Sequence, residues 1–200
     1  MSNKIVKNYK NVIEEIVAYL GEGYRKEIES RAKKVKLLIV DKNDKRHEYI
    51  KDEPVCVKTD KYNCCIISRE ALDGQNGNVL VVHSLLRALL EDSFVIEGKD
   101  SFDSTLVNYM ANDICKRLED KDINLSYHDE PEYDSKSIYS KFFGVVESFF
   151  KGNRENVIKA KLSKNFKISD SIKEVIEKFE SKFEEKLERK DTLKMSSMGR

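Results

Sequence analysis

The chain has no tryptophan, two prolines and eight glycines in 200 residues, and its net charge is only +1. Each shortage excludes something. The glycines, at 21, 23, 74, 77, 98, 144, 152 and 199, spell neither GxGxxG nor GxxxxGK[ST], so the familiar phosphate-cradling loops are absent. Histidine occurs three times, as His47, His83 and His128, and no HExxH, CxxC, GxSxG or EF-hand spacing is present. No cofactor or metal is therefore expected. No apolar run approaches the roughly 20 residues that cross a bilayer as a helix, so no membrane span is expected. The 37 basic and 36 acidic side chains nearly cancel, which argues against a dedicated polyanion binder.

What is present is a heavily charged chain, 36% Asp, Glu, Lys and Arg, with 40% hydrophobic residues in regular patterns. At this length about 70% of the unfolded surface is buried on folding, enough for a core without disulfides. The four cysteines, Cys56, Cys64, Cys65 and Cys115, sit among apolar neighbours. Neighbouring residues on a strand point to opposite faces, so Cys64 and Cys65 are badly placed to bond each other. Free cysteines and an N-terminus without an apolar leader predict a reducing, cytoplasmic setting. Abundant Lys, Asn and Ile with scarce Ala, Gly and Pro suit an AT-rich genome, such as that of a low-GC bacterium or its phage.

Hydrophobic spacing predicts an α+β protein. Ile5, Tyr9, Val12, Ile13, Ile16 and Leu20 form one helical stripe over 3–20, and a second helix is expected over 24–34. Short branched runs at 35–40, 46–50, 55–57 and 62–67 read as strands. Their close spacing predicts a small, mainly antiparallel sheet over 35–68, with 94–97 a further strand candidate. Pro54 suits a strand start or an edge. Helices are expected over 79–92, 101–119, 135–150, 153–164 and 169–190, giving a helical C-terminal half. One domain over 1–190 and a loose tail over 191–200 complete the expectation.

Several constellations could carry function. Glu97-Gly98-Lys99 follows the apolar run Phe94-Val95-Ile96, and Asp73 lies upstream. This layout resembles the PD-(D/E)xK nucleases, in which a carboxylate and a lysine at a strand end and an upstream aspartate form a site for a divalent metal that activates water and offsets phosphate charge; the resemblance implies catalytic roles for Asp73, Glu97 and Lys99. A plain solvated turn is the competing reading. A cysteine nucleophile would pair Cys64 or Cys65 with His83 or His128, oriented by Asp129, although buried structural cysteine is the commoner role.

The remaining candidates are surfaces. Residues 120–134 carry six acids against Lys121, among them Asp129, Glu130, Glu132 and Asp134. Residues 151–167 carry six cations against Glu155, among them Arg154, Lys159, Lys161 and Lys164, and a basic helix of this kind suits a phosphate backbone. In the last helix, Ile172, Ile176, Phe179 and Phe183 make a stripe that docks on its own domain or zips to a second copy. The absence of a catalytic motif and the segregation of charge predict a non-enzymatic interaction or regulatory protein with a protein partner, a homodimer being one form. A metal-dependent nuclease and a nucleic-acid binder acting through 151–167 are the alternatives.

Overall fold

A computed structural model describes residues 9–50, 55–58, 61–74, 77–91, 101–120 and 138–163, together with helical residues at 173, 174, 176–178, 181 and 185. The fold is α+β. In chain order come α1 (Tyr9–Leu20), a 3₁₀ turn (Glu22–Tyr24), α2 (Arg25–Ala32), β1 (Val35–Val40), α3 (His47–Ile50), β2 (Val55–Lys58), β3 (Asn63–Ser68), α4 (Arg69–Asp73), α5 (Gly77–Leu89), α6 (Ser101–Asp120) and α7 (Ile138–Leu162). The chain forms two compact units. The first comprises residues 1–91 and 107–129, the second 92–106 and 130–200. No helix among the described residues is long and apolar enough to cross a membrane.

In the first unit, the stripe expected along α1 is buried at Val12, Ile13, Ile16 and Leu20. Gly21 ends this helix at φ 120°, a conformation that costs a residue with a Cβ, and its N–H bonds back to the Val17 carbonyl at 2.8 Å. The stretch beginning at Val79 does form a helix, α5, with Val81, Val82, Leu85, Leu86 and Leu89 buried. The last carbonyls of α5 have no partner within the helix. They are met by three side chains from elsewhere: Asn63 Nδ2 donates to Ala88 O at 2.6 Å, Arg31 Nη1 to Leu89 O at 2.8 Å and Lys58 Nζ to Leu90 O at 2.7 Å. Two of these donors are cations at the negative end of the helix dipole.

The sheet is mixed, in the order β1-β3-β2. β2 and β3 pair antiparallel, but β1 and β3 pair parallel, so the expected meander is corrected. The reason lies in β3. Cys64, Cys65, Ile66 and Ile67 make an unbroken apolar run, and β3 takes the centre of the sheet with a strand on either edge. β2 is a short edge strand beginning just after Pro54. The segment 46–50 is not a strand. Asp44 Oδ1 accepts from the Arg46 backbone N–H at 2.9 Å while Asp44 O accepts from His47 N at 2.9 Å, and this local capping starts the short helix α3. The strand candidate 94–97 lies outside the described residues.

In the second unit, α7 joins two expected helices. It runs through 150–153 and bends at Asn153 (φ −131°, ψ 21°), whose Nδ2 donates to Phe149 O at 3.0 Å. The helix buries a stripe, Phe142, Val146, Phe150, Val157 and Ile158, and leaves Phe143, Val145 and Phe149 half-buried. Phe102 meets Phe142 and Phe149 edge-to-face, with centroids 6.3 and 5.3 Å apart. Beside them Lys161 is fully buried and ion-paired with the buried Asp103. Asp103 also lies in the first turn of α6, where the helix dipole favours an anion.

Two stability outcomes follow from this packing. Asp103→Leu strands a buried ammonium and should cost about 3–5 kcal/mol, whereas the double change D103L/K161M should recover most of that loss. Equilibrium denaturation of the four forms of this cycle checks it, and additive losses would contradict it. A Cβ on Gly77 would meet Leu72 O at 1.9 Å, but one on Gly144 would meet nothing within 4 Å. In equilibrium denaturation, Gly77→Ala should therefore lower the unfolding free energy by about 1–3 kcal/mol, and Gly144→Ala should raise it by about 1 kcal/mol.

Candidate functional site

The two faces of the sheet differ. Strand alternation puts Asn63, Cys65 and Ile67 of β3 on the same side as Cys56 and Lys58 of β2. That side is covered by α5: besides the Asn63 and Lys58 bonds, Cys65 Sγ donates to Ser84 O at 3.1 Å. Cys65 and Ile67 are fully buried there.

The opposite alternation builds another surface. Lys36, Cys64 and Val57 lie in one row across the three strands, and Leu38, Ile66 and Val55 in the next. Tyr62, two residues before Cys64, continues the same side, and the Lys36 ammonium sits 3.6 Å from its ring centroid. Leu38, Val55, Cys64 and Ile66 are only half-buried. Val57 and Tyr62, at 44% and 47% exposure, are the exposed large hydrophobics among the described residues. At the other end of the strands α3 packs against β3, and His47 Nε2 lies 3.1 Å from Glu70 Oε2 of α4.

Among the described residues, the segment through β1 and the turn after it is rich in cations, of which Lys42 lies 3.8 Å from Glu70. Residues 33–46 hold Lys33, Lys34, Lys36, Lys42, Lys45 and Arg46 against Asp41 and Asp44. Both carboxylates are already engaged, Asp41 by Arg69 and Asp44 by Arg46. The Arg46 hydrogen bonds hold the Asp44 carboxyl well down, at about 2, so it stays ionised and paired at neutral pH. Lys61 precedes Tyr62, and the Lys34 carbonyl accepts from Asn63 N at 3.0 Å, which puts the lysines of both strands at one end of the sheet. A half-exposed apolar face with a cationic border can bind an apolar, anionic surface.

The residues singled out from sequence fare differently. Asp73 is exposed at the end of α4, while Glu97 and Lys99 of the nuclease reading lie outside the described residues. Asp129, Glu130, Glu132, Asp134, Lys164, Ile172, Phe179 and Phe183 also lie outside them. Ile176 is buried. The basic segment loses part of its surface charge: Lys161 is withdrawn into the core by Asp103, which corrects its place among surface candidates. Lys159 pairs with Glu155 at 3.0 Å, Lys151 with Glu147 at 2.7 Å, and the Arg154 guanidinium lies 5.1 Å from the Phe150 ring centroid. Among the described residues no group of three His, Cys, Asp or Glu could hold a metal ion. As to a cysteine nucleophile, the hydrogen bond with Cys56 and burial push the Cys65 thiol well up, away from the reactive thiolate.

The open sheet face escaped sequence reasoning. Its signal was present in β3, where apolar residues fall on both alternations although one covering helix follows. No family model matches this chain, and no curated protein or solved structure matches it either.

The thiols make stability fall in alkali. Burial raises Cys115 from 9.0 to about 12, with Glu119 adding to the shift. A folded-state value above the unfolded one means the stabilisation is complete below pH 9 and is lost as pH rises toward 12. Cys65 and Tyr9 shift the same way. Between pH 9 and 11 each such group should steepen the loss by up to about 1.4 kcal/mol per pH unit. Denaturant midpoints measured across that range should fall less steeply for Cys115→Ala than for the unchanged chain, and equal slopes would contradict the assignment.

Proposed function

We propose that the chain is a non-enzymatic interaction protein, and that the open face of its sheet docks an acidic protein segment carrying apolar side chains. One observation carries the reading: Val57 and Tyr62, the exposed large hydrophobics among the described residues, flank a half-buried patch of Leu38, Val55, Cys64 and Ile66 bordered by lysines. Exposed apolar surface rimmed by polar groups is a mark of an interaction site. The aliphatic patch supplies area to bury, and Lys33, Lys34, Lys36 and Lys61 supply attraction for carboxylates. A single-stranded nucleic acid is less well served, because such platforms stack successive bases on several rings and, among the described residues, this face offers Tyr62 alone. The local pairing of Lys151 and Lys159 likewise weakens the basic-helix route to nucleic acid. Free thiols at Cys56 and Cys65 fit a reducing, cytoplasmic setting.

The test is selection from a displayed library of random 12-residue peptides on the full chain, with the double variant V57E/Y62E as the counter-target. Enriched peptides should combine Asp or Glu with large apolar residues. They should bind the variant at least tenfold more weakly and bind the unchanged chain less well as salt rises. Peptides without acidic bias, or indifferent to the variant, overturn the proposal. A dimer in sedimentation that the variant dissociates would give the face to a second copy instead, and equally tight, variant-sensitive binding of oligouridine would give it to nucleic acid.

A further inference from the structure

On the covered side of the sheet, Cys56 of β2 stands directly opposite Cys65 of β3, with their sulfurs 3.5 Å apart. We propose that Cys56 and Cys65 are a built thiol pair that a hydroperoxide converts to a reversible cross-strand disulfide. Residues facing each other in an antiparallel pair have Cα atoms about 4.5 or 5.5 Å apart, and both separations lie inside the span a disulfide bridges. The sulfurs must approach by about 1.5 Å to reach bonding distance, a movement within the reach of side-chain rotation. No other pair of the four cysteines is placed this way: Cys64 is on the opposite face of β3, and Cys115 is buried in α6.

The two sulfurs have different parts. Cys56 is half-buried, on an edge strand, and is the one an oxidant can reach. Cys65 is fully buried and gives its S–H to Ser84 O, so it waits protonated behind Cys56. In the first step the Cys56 thiol is oxidised by ROOH, giving Cys56–SOH and ROH. In the second the Cys65 sulfur attacks the Cys56 sulfur, the S–O bond breaks, and the hydroxyl leaves with the Cys65 proton as water. Two electrons pass to the peroxide in all, and two thiols become one disulfide. The Cys65 bond to Ser84 O is lost in the process, and β2 becomes covalently tied to β3. In a reducing compartment a bond of this kind is transient and serves sensing rather than permanent stapling.

The experiment treats the full native chain with hydrogen peroxide, then quenches with acid, denatures and alkylates. Free thiols should fall from four per chain to two, the chain should stay monomeric without reductant, and dithiothreitol should restore all four. Fragmentation should place the link between Cys56 and Cys65. The variant C64S/C115S, which keeps only the proposed pair, should lose both its thiols, and C65S should form no link. A link through Cys64, a disulfide between chains, or a sulfinic acid on Cys56 with the Cys65 thiol intact would overturn the proposal. So would four thiols surviving peroxide that oxidises the same chain once it is unfolded.

Discussion

The first unit is assembled on the C-terminal end of α5. Three consecutive carbonyls there, those of Ala88, Leu89 and Leu90, need donors, and each receives one from a different element: β3, α2 and β2. Backbone carbonyls buried without partners would be costly, so these contacts hold strand, helix and edge strand in one arrangement. Arg31 extends the clamp, because it also pairs with Glu27 at 2.7 Å and Glu91 at 3.0 Å. The covered side of the sheet is thereby committed to α5, and among the described residues the other alternation is half-buried to exposed.

That commitment explains both sites on β3. Looking inward, Cys65 touches Cys56 and Ser84. Looking outward, Cys64 joins Lys36 and Val57 in the exposed row. The adjacency that keeps Cys64 and Cys65 from bonding each other is what gives one strand a thiol on each face. The chemistry on the two sides is independent in kind. One side holds a close sulfur pair beneath a helix, and the other offers aliphatic area with ammonium groups around it.

Much of this was legible in the sequence, where the information is local. The stripe of α1 and the helices α5 and α6 follow from hydrophobic spacing. The strands 35–40, 55–58 and 63–68 follow from branched runs. The failures have physical causes. Segment 46–50 has strand-like residues, but Asp44 caps a turn ahead of it. The parallel pairing of β1 with β3 depends on which strand takes the central place in the sheet, a property that short spacing does not reveal. Lys161 reads as surface charge because lysine on a helix is mostly solvated. Its partner Asp103 is 58 residues away, and only the fold brings them together. The open sheet face was missed for the complementary reason: alternation marks a residue as apolar without saying whether anything covers it.

The order β1-β3-β2 also has a temporal meaning. Only residues 59–62 separate β2 from β3 in sequence, and closing so short a loop costs little entropy. β1, although made first, has no strand to pair with until the chain has been completed through Ser68. Closing the β2–β3 loop therefore costs less entropy than pairing β1 with β3, which must enclose residues 41–62.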